Sequence, residues 1–181
     1  MTTPLLTFGH GTATAQRIVA LLHGAEVGAL VDVRTAPGSR RSPHVAREAI
    51  GAWLPESGIS YRWERRLGGW RSARPDSPDT ALRHRSFSGY AAHMRSPEFL
   101  SSVDELLAGA ARERTAIMCA ESLWWRCHRS MIADFVTLAR DVPVLHVMHD
   151  GTLQRHRPSP LARRRDDRLL VYDVGQQPLA P

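Results

Sequence analysis

Short, almost wholly apolar runs alternate along the chain with stretches whose apolar positions recur every three to four residues. Pro4 to Phe8 (PLLTF), Val27 to Val33 (VGALVDV), Ile59 to Trp63 (ISYRW), Thr115 to Met118 (TAIM) and Val142 to Val147 (VPVLHV) read as strands. The second run is nearly free of polar positions, as suits a strand covered on both faces. Between the runs, Ile18, Val19 and Leu22 share one face of a helix that starts at Ala15 and ends at Gly24. Val45, Ala49, Ile50, Trp53 and Leu54 mark a second helix. Ser96-Pro97-Glu98 supplies a cap, a proline at the first helical position and an acid in the first turn, and Phe99, Val103, Leu106 and Leu107 follow on one face. Met131, Ile132, Phe135, Val136 and Leu138 mark a last helix whose first turn holds Cys127 and His128. Strands alternating with helices predict an α/β fold in three layers: a mostly parallel sheet of about five strands with helices on both faces.

Two segments break the rhythm. Residues 64–87, ERRLGGWRSARPDSPDTALRHRSF, hold no sustained period, and a loop this long inside a compact domain is functional or disordered. After Asp150-Gly151 the chain turns basic. The organisation expected is a single domain over residues 1–157 and a basic tail over 158–181, in which Leu169 to Tyr172 (LLVY) could add an edge strand.

A length of 181 residues suits one such domain. Composition then removes whole chemistries. The chain has no lysine, so all 24 basic residues are arginine, which excludes Schiff-base catalysis and a phosphate-loop lysine. Two cysteines, Cys119 and Cys127, exclude an all-thiolate zinc site and a disulfide framework. A metal site of Cys119, Cys127, His128 and His10 fits no standard zinc spacing, so neither metal nor cofactor is expected. No apolar run is long enough to span a bilayer, and MTTPLLTFGHGT carries neither a basic leader nor a small-residue cleavage site. The expected location is the cytoplasm, with no membrane partner. The net charge of +6 suits an anionic partner, but suits equally a surface solubilised by arginine.

Parallel sheets bind ligands at the carboxyl ends of their strands. That rule singles out His10 after the first strand, Asp32 and Arg34 at the second, and Cys119 and Glu121 at the fourth; Arg126, Cys127, His128 and Arg129 open the helix that follows. A thiol at a helix N-terminus is stabilised as thiolate by the backbone dipole, and Arg126, His128 and Arg129 add to the effect. Cys127 and Cys119 are candidate nucleophiles or redox groups, Glu121 and His10 candidate proton-transfer groups, and Arg34, Arg126 and Arg129 candidate clamps for an anion. The same residues admit quieter readings: the cysteines as small buried apolar side chains, Asp32 and Arg34 as a structural ion pair. Gly9, Gly11 and Asp32 echo a dinucleotide fingerprint that lacks its third glycine. Between Arg62 and Arg85 lie seven arginines interleaved with Trp63, Trp70 and His84. They suit either a lid beside the pocket, paired to Glu64, Asp76 and Asp79, or a nucleic-acid surface.

These motifs, in this order, resemble the bacterial family of domain of unknown function 488. The matching pieces are TFGHGT, LVDVRTAPGSRR, LGGWR of residues 67–71, FSGYAAHM of residues 87–94, Cys119–Arg129 and VLHVMHDG, across residues 5–157. The chain departs from relatives at Thr12 and at Leu123-Trp124-Trp125. The resemblance implies a compact α/β domain with the polar residues in one pocket, adding Gly69, Arg71 and Tyr90 to Asp32, Arg34, Arg126, His128 and Arg129 as ligand-binding candidates. It implies no reaction, and a loose DNA-repair label on some relatives points to nucleic acid. A more distant similarity is to rhodanese-like domains, which pair a strand ending in Asp-Val-Arg with a later strand–Cys–loop–Arg–helix unit. The expected function is an enzyme acting on a small anionic or nucleotide-like ligand; the alternative is a nucleic-acid-binding accessory domain using residues 62–85.

Overall fold

A computed structural model describes residues 3–38 and 40–175. The fold is mixed α/β. Strands β1 (Leu5–Gly9), β2 (Ala29–Asp32), β3 (Ser60–Trp63), β4 (Thr115–Cys119), β5 (Val144–Val147) and β6 (Leu153–Arg155) form one sheet in the order β3-β2-β4-β1-β5-β6. All neighbours are parallel except β6, which runs antiparallel to β5. Five helices connect them: α1 (Ala15–Gly24), α2 (Arg47–Glu56), α3 (Arg85–His93), α4 (Pro97–Ala110) and α5 (Arg129–Arg140).

Side-chain alternation divides the strands between two buried clusters. Leu6 and Phe8 of β1, Leu30 of β2 and Met118 of β4 pack with Ile18 and Leu22 of α1 and Ile50 and Leu54 of α2. Leu5, Val31 and Ile117 pack instead with Tyr90 of α3, Phe99 and Val103 of α4, and Ile132 and Phe135 of α5. The start of α4 follows its sequence signal, and α1 carries a cap of its own. Thr14 caps α1 by accepting from the Arg17 N–H, and Ser96 caps α4 by accepting from the Phe99 N–H, with Pro97 at the first helical position.

Several elements differ from the sequence expectation. The sheet has six strands, because Leu153–Arg155, exposed throughout, pairs with β5 through backbone alone. The irregular stretch runs at its end into α3, which continues beyond it to His93 and whose buried face of Gly89, Tyr90, Ala91 and His93 is too mixed in polarity to announce a helix. LLVY is not an edge of the main sheet: β8 (Leu170–Tyr172) pairs with β7 (Ala162–Arg164) in a separate two-stranded sheet. Nor do residues 158–175 trail free. Leu170, Val171 and Tyr172 are buried, and the Tyr172 hydroxyl donates to Asp134 on α5. The fully buried Asp79 carboxylate accepts both Arg95 nitrogens and the Tyr172 N–H, tying the irregular stretch to β8. Residues 176–181 lie outside the described residues.

The topology sets the site. From β1 the chain crosses β4 to reach β2, and from β4 it crosses β1 to reach β5, so connections leave the central pair in opposite directions. The crevice beyond the carboxyl ends of such a pair is where open α/β sheets take ligands. Gly9 and Cys119, the last residues of β1 and β4, stand in register there.

Candidate active site

Backbone bonds carry the β1–β4 pairing past the strand ends: the His10 N–H donates to the Cys119 carbonyl and the Gly11 N–H to that of Ala120. The next carbonyl, of Glu121, turns back over Gly9, where a Cβ would collide with it and with the Arg129 guanidinium. Arg129 holds this turn from beneath, donating through Nη2 to the Glu121 and Ser122 carbonyls at 2.6 and 2.9 Å. Trp124 anchors the far side by stacking on His146, ring centres 4.2 Å apart. The segment between the two cysteines is thus held at three points.

That hold brings the Cys119 and Cys127 sulfurs into contact at 2.6 Å, with the residues 2% and 7% exposed. Both line a cleft of about 290 Å³, together with Arg34, Thr35, Ala36, Gly69, Trp70, Ser86, Phe87, Ala120, Glu121, Arg126 and His128. Helix α5 begins at Arg129, one residue later than a first turn containing His128 would require, and Cys127 is extended. The His128 Nε2–H donates to the Val33 carbonyl at 2.9 Å, which leaves Nδ1 facing the Cys127 sulfur, 3.5 Å away. A nucleophile, a base and a third group orienting the base is the arrangement of a thiolate–imidazole catalyst.

The two thiols are driven apart in acidity. Cys127 is held well below the ordinary thiol range by its hydrogen bond with Cys119, by His128 and by the Arg129 N–H at the helix start, against the cost of burial. Burial pushes Cys119 well above it, and the neighbouring Cys127 charge adds to that. The two shifts run in opposite directions, so Cys127 is the more acidic thiol of the pair. Arg129 is 1% exposed and, among the described residues, has no carboxylate in ion-pair range; its Nε has no hydrogen-bond partner. A buried cation without an acidic partner favours an anion close by.

Other expected site residues stand further back. Asp32 is fully buried and engaged by Arg34 and the Tyr61 hydroxyl. Arg34 reaches the cleft wall, but Nε and Nη2 are taken by Asp32 and the Val45 carbonyl. His10 lies outside the cleft lining, with Nδ1 on the Gly11 carbonyl and Nε2 on Arg34. Burial, with Arg34 beside it, lowers its pKa to about 4, so it is neutral near pH 7. Arg71 is bound to the Gly68 and Arg66 carbonyls, and the Tyr90 hydroxyl to the Leu67 carbonyl. Tyr90 also packs edge-on against His128 at 5.2 Å. Both residues position the 67–71 segment. Glu121 and Arg126 are exposed at the rim. Of the irregular stretch, Arg62 and Arg66 pair with Glu64 and Arg74 with Asp76, whereas Asp79 pairs outside it with Arg95.

The missed contributors are the Val33 carbonyl, and Thr35, Ser86 and Phe87 in the wall beside Trp70 of the arginine-rich segment. Gly69 could have signalled them, because a Cβ there would sit 2.6 Å from His128 Nδ1. Gly69→Ala is expected to displace the imidazole and slow Cys127 alkylation at pH 7 several-fold, at a stability cost of about 1–3 kcal/mol measured by urea unfolding. Unchanged alkylation would separate His128 from thiol activation.

Among the described residues no group of three or more His, Cys, Asp or Glu side chains could hold a metal, and no helix is long and apolar enough to cross a membrane. No curated protein and no solved structure matches the chain. The family model of DUF488, a domain of unknown function, matches residues 14–136, which span α1 to α5 and contain both cysteines, His128 and Arg129; the chain belongs to the DUF488 family.

Proposed function

We propose that this protein is an enzyme whose Cys127 thiolate attacks a small anionic substrate bound in the cleft. The observation that carries this reading is the alignment of Cys127, His128 and the Val33 carbonyl at the cleft wall. His128 Nδ1 takes the thiol proton and holds it for a leaving group. Arg126 at the rim faces the substrate's negative charge, the buried Arg129 adds a long-range positive field, and Glu121 is placed for proton exchange with solvent. His10 serves as a neutral support for Arg34 rather than as a base. A cleft of about 290 Å³ sits at the small end of the ~300–1,000 Å³ range of ligand pockets, which favours a small anion over a nucleotide.

The nucleic-acid reading draws on Trp70, 77% exposed, and on the exposed Arg65, Arg83 and Arg85. The pairing of Arg62, Arg66 and Arg74 with acids, and of Arg71 with carbonyls, counts against it. Two alkylating agents of similar size test the enzyme reading. Iodoacetate, an anion, is expected to gain several-fold on neutral iodoacetamide at Cys127, relative to their ratio on free cysteine, and Arg126→Ala should remove the gain. An unaltered ratio in the unsubstituted protein would sink the anionic-substrate assignment.

A further inference from the structure

A second thiol in sulfur contact with the nucleophile has no task in a transfer reaction whose adduct is released by water. It has one where the adduct on Cys127 can be displaced by sulfur. Here the contact is built by the fold. Cys119 ends β4, which is paired on both sides by β1 and β2, and Cys127 abuts α5. The loop between them is fixed by Arg129 and by the Trp124–His146 stack. Both sulfurs border the same cleft, so a reagent that reaches one reaches the pair.

We propose that Cys119 and Cys127 form a redox-active dithiol that reduces small hydroperoxides, with Cys119 as the resolving thiol. The proposal rests on Cys127 being the nucleophile of the cleft and not on the anion contact of Arg126, since a hydroperoxide is uncharged at pH 7. In the first step the Cys127 sulfur attacks the distal peroxide oxygen. The S–O bond forms, the O–O bond breaks, and the departing alkoxide leaves as an alcohol with the proton held by His128. The product is a sulfenic acid on Cys127. In the second step the Cys119 sulfur attacks the Cys127 sulfur, the S–S bond forms, and hydroxide leaves with the Cys119 proton as water. One peroxide and two thiols thus give one alcohol, one water and one disulfide, two electrons passing from sulfur to oxygen. A small dithiol reductant closes the cycle by exchange.

The test uses the full chain, reduced and freed of reductant, treated with one equivalent of hydrogen peroxide at pH 7. Both thiols are expected to disappear with a mass loss of two hydrogens and no dimer, and dithiothreitol should restore them. The rate should exceed that of free cysteine about two- to threefold, because free cysteine is only a few per cent thiolate at pH 7 while the more acidic thiol is the weaker nucleophile. Cys119→Ser is expected to stop at a sulfenic acid trapped by dimedone, and Cys127→Ser to leave Cys119 unoxidised. Retention of both thiols overturns the proposal, as does a dimedone adduct equal in the unsubstituted protein and Cys119→Ser. If Cys127 still alkylates rapidly in that event, only the peroxide assignment falls; if it does not, the nucleophile assignment falls with it.

Discussion

Alkylation of Cys127 by iodoacetamide is expected to change little between pH 7 and pH 9, and at pH 7 to outpace that of free cysteine about two- to threefold. An ordinary thiol titrates near ~8.5 and is only about 3% ionised at pH 7, so full ionisation raises the reactive fraction about 30-fold. A more acidic thiol is an intrinsically weaker nucleophile, with a Brønsted slope of ~0.4–0.5, which for a thiol acidic enough to be fully ionised at pH 7 returns about tenfold of that gain and leaves a factor of about two to three. The causes of the ionisation can be separated. Cys119→Ala removes the hydrogen-bonding thiol and should move the rise in rate to higher pH, and His128→Ala should do the same through loss of the proton acceptor. The readout is the mass-resolved alkylation rate of Cys127 against pH. A rate that climbs tenfold per pH unit up to pH 8.5 would show that the pair lends Cys127 no charge.

Acid is expected to remove on the order of 5 kcal/mol of stability between pH 6.5 and pH 4, at about 1.4 kcal/mol for each unit of difference between folded and unfolded pKa. The groups responsible are His146 and His10. His146 receives a hydrogen bond from Thr7 at Nδ1 and donates from Nε2 to His156, which in turn donates to Asp134. Trp124 stacks over its ring. This directional chain suits a neutral imidazole, and burial, His156 and Arg129 lower its pKa to about 3. His10, at about 4, is neutral for parallel reasons. Unfolded histidines titrate near 6.5, so below that pH the unfolded chain binds protons that the folded one refuses, and stability falls as pH falls. Above pH 7 neither group contributes a slope. Urea midpoints from pH 7.5 to 4 check this, and His146→Gln should flatten the larger share of the fall. A curve level down to pH 4.5 would mean that these rings charge in place. Because Trp124 rests on His146, loss of the chain would also loosen the segment that holds the sulfurs together.

Much of the fold was legible in the sequence because its signals are local. The Ser96 cap, the apolar runs of β1 and β4 and the stripes of α1, α4 and α5 each rest on propensities and periods that neighbouring residues carry together. The exceptions share a cause. Helix α3 buries a glycine, a tyrosine and a histidine whose worth lies in what they meet, with Tyr90 on Leu67 and His128 and His93 on the Arg66 carbonyl. Strand β6 has no buried side chains at all, so only its backbone pairing defines it.

From its residues alone the chain reads as α/β of the DUF488 kind, with a chemistry that excludes lysine and with thiols at a strand end and in the first turn of a helix, the second of which the structure sets just ahead of that helix. Strand-end geometry was enough to gather Cys119, Cys127, His128 and Glu121 at one edge. Which of them face the cleft, and in what ionisation state, was decided by tertiary structure alone. His128 and His10 are both histidines beside candidate carboxylates and arginines, yet one turns its free nitrogen to a thiol because the Val33 carbonyl occupies the other. The other has both nitrogens engaged and lies behind the wall. Arg34 and Arg126 differ in the same way. The physical reason is that hydrogen-bond partners, desolvation and the distance between two sulfurs are set by residues up to a hundred positions away, and no local pattern encodes them.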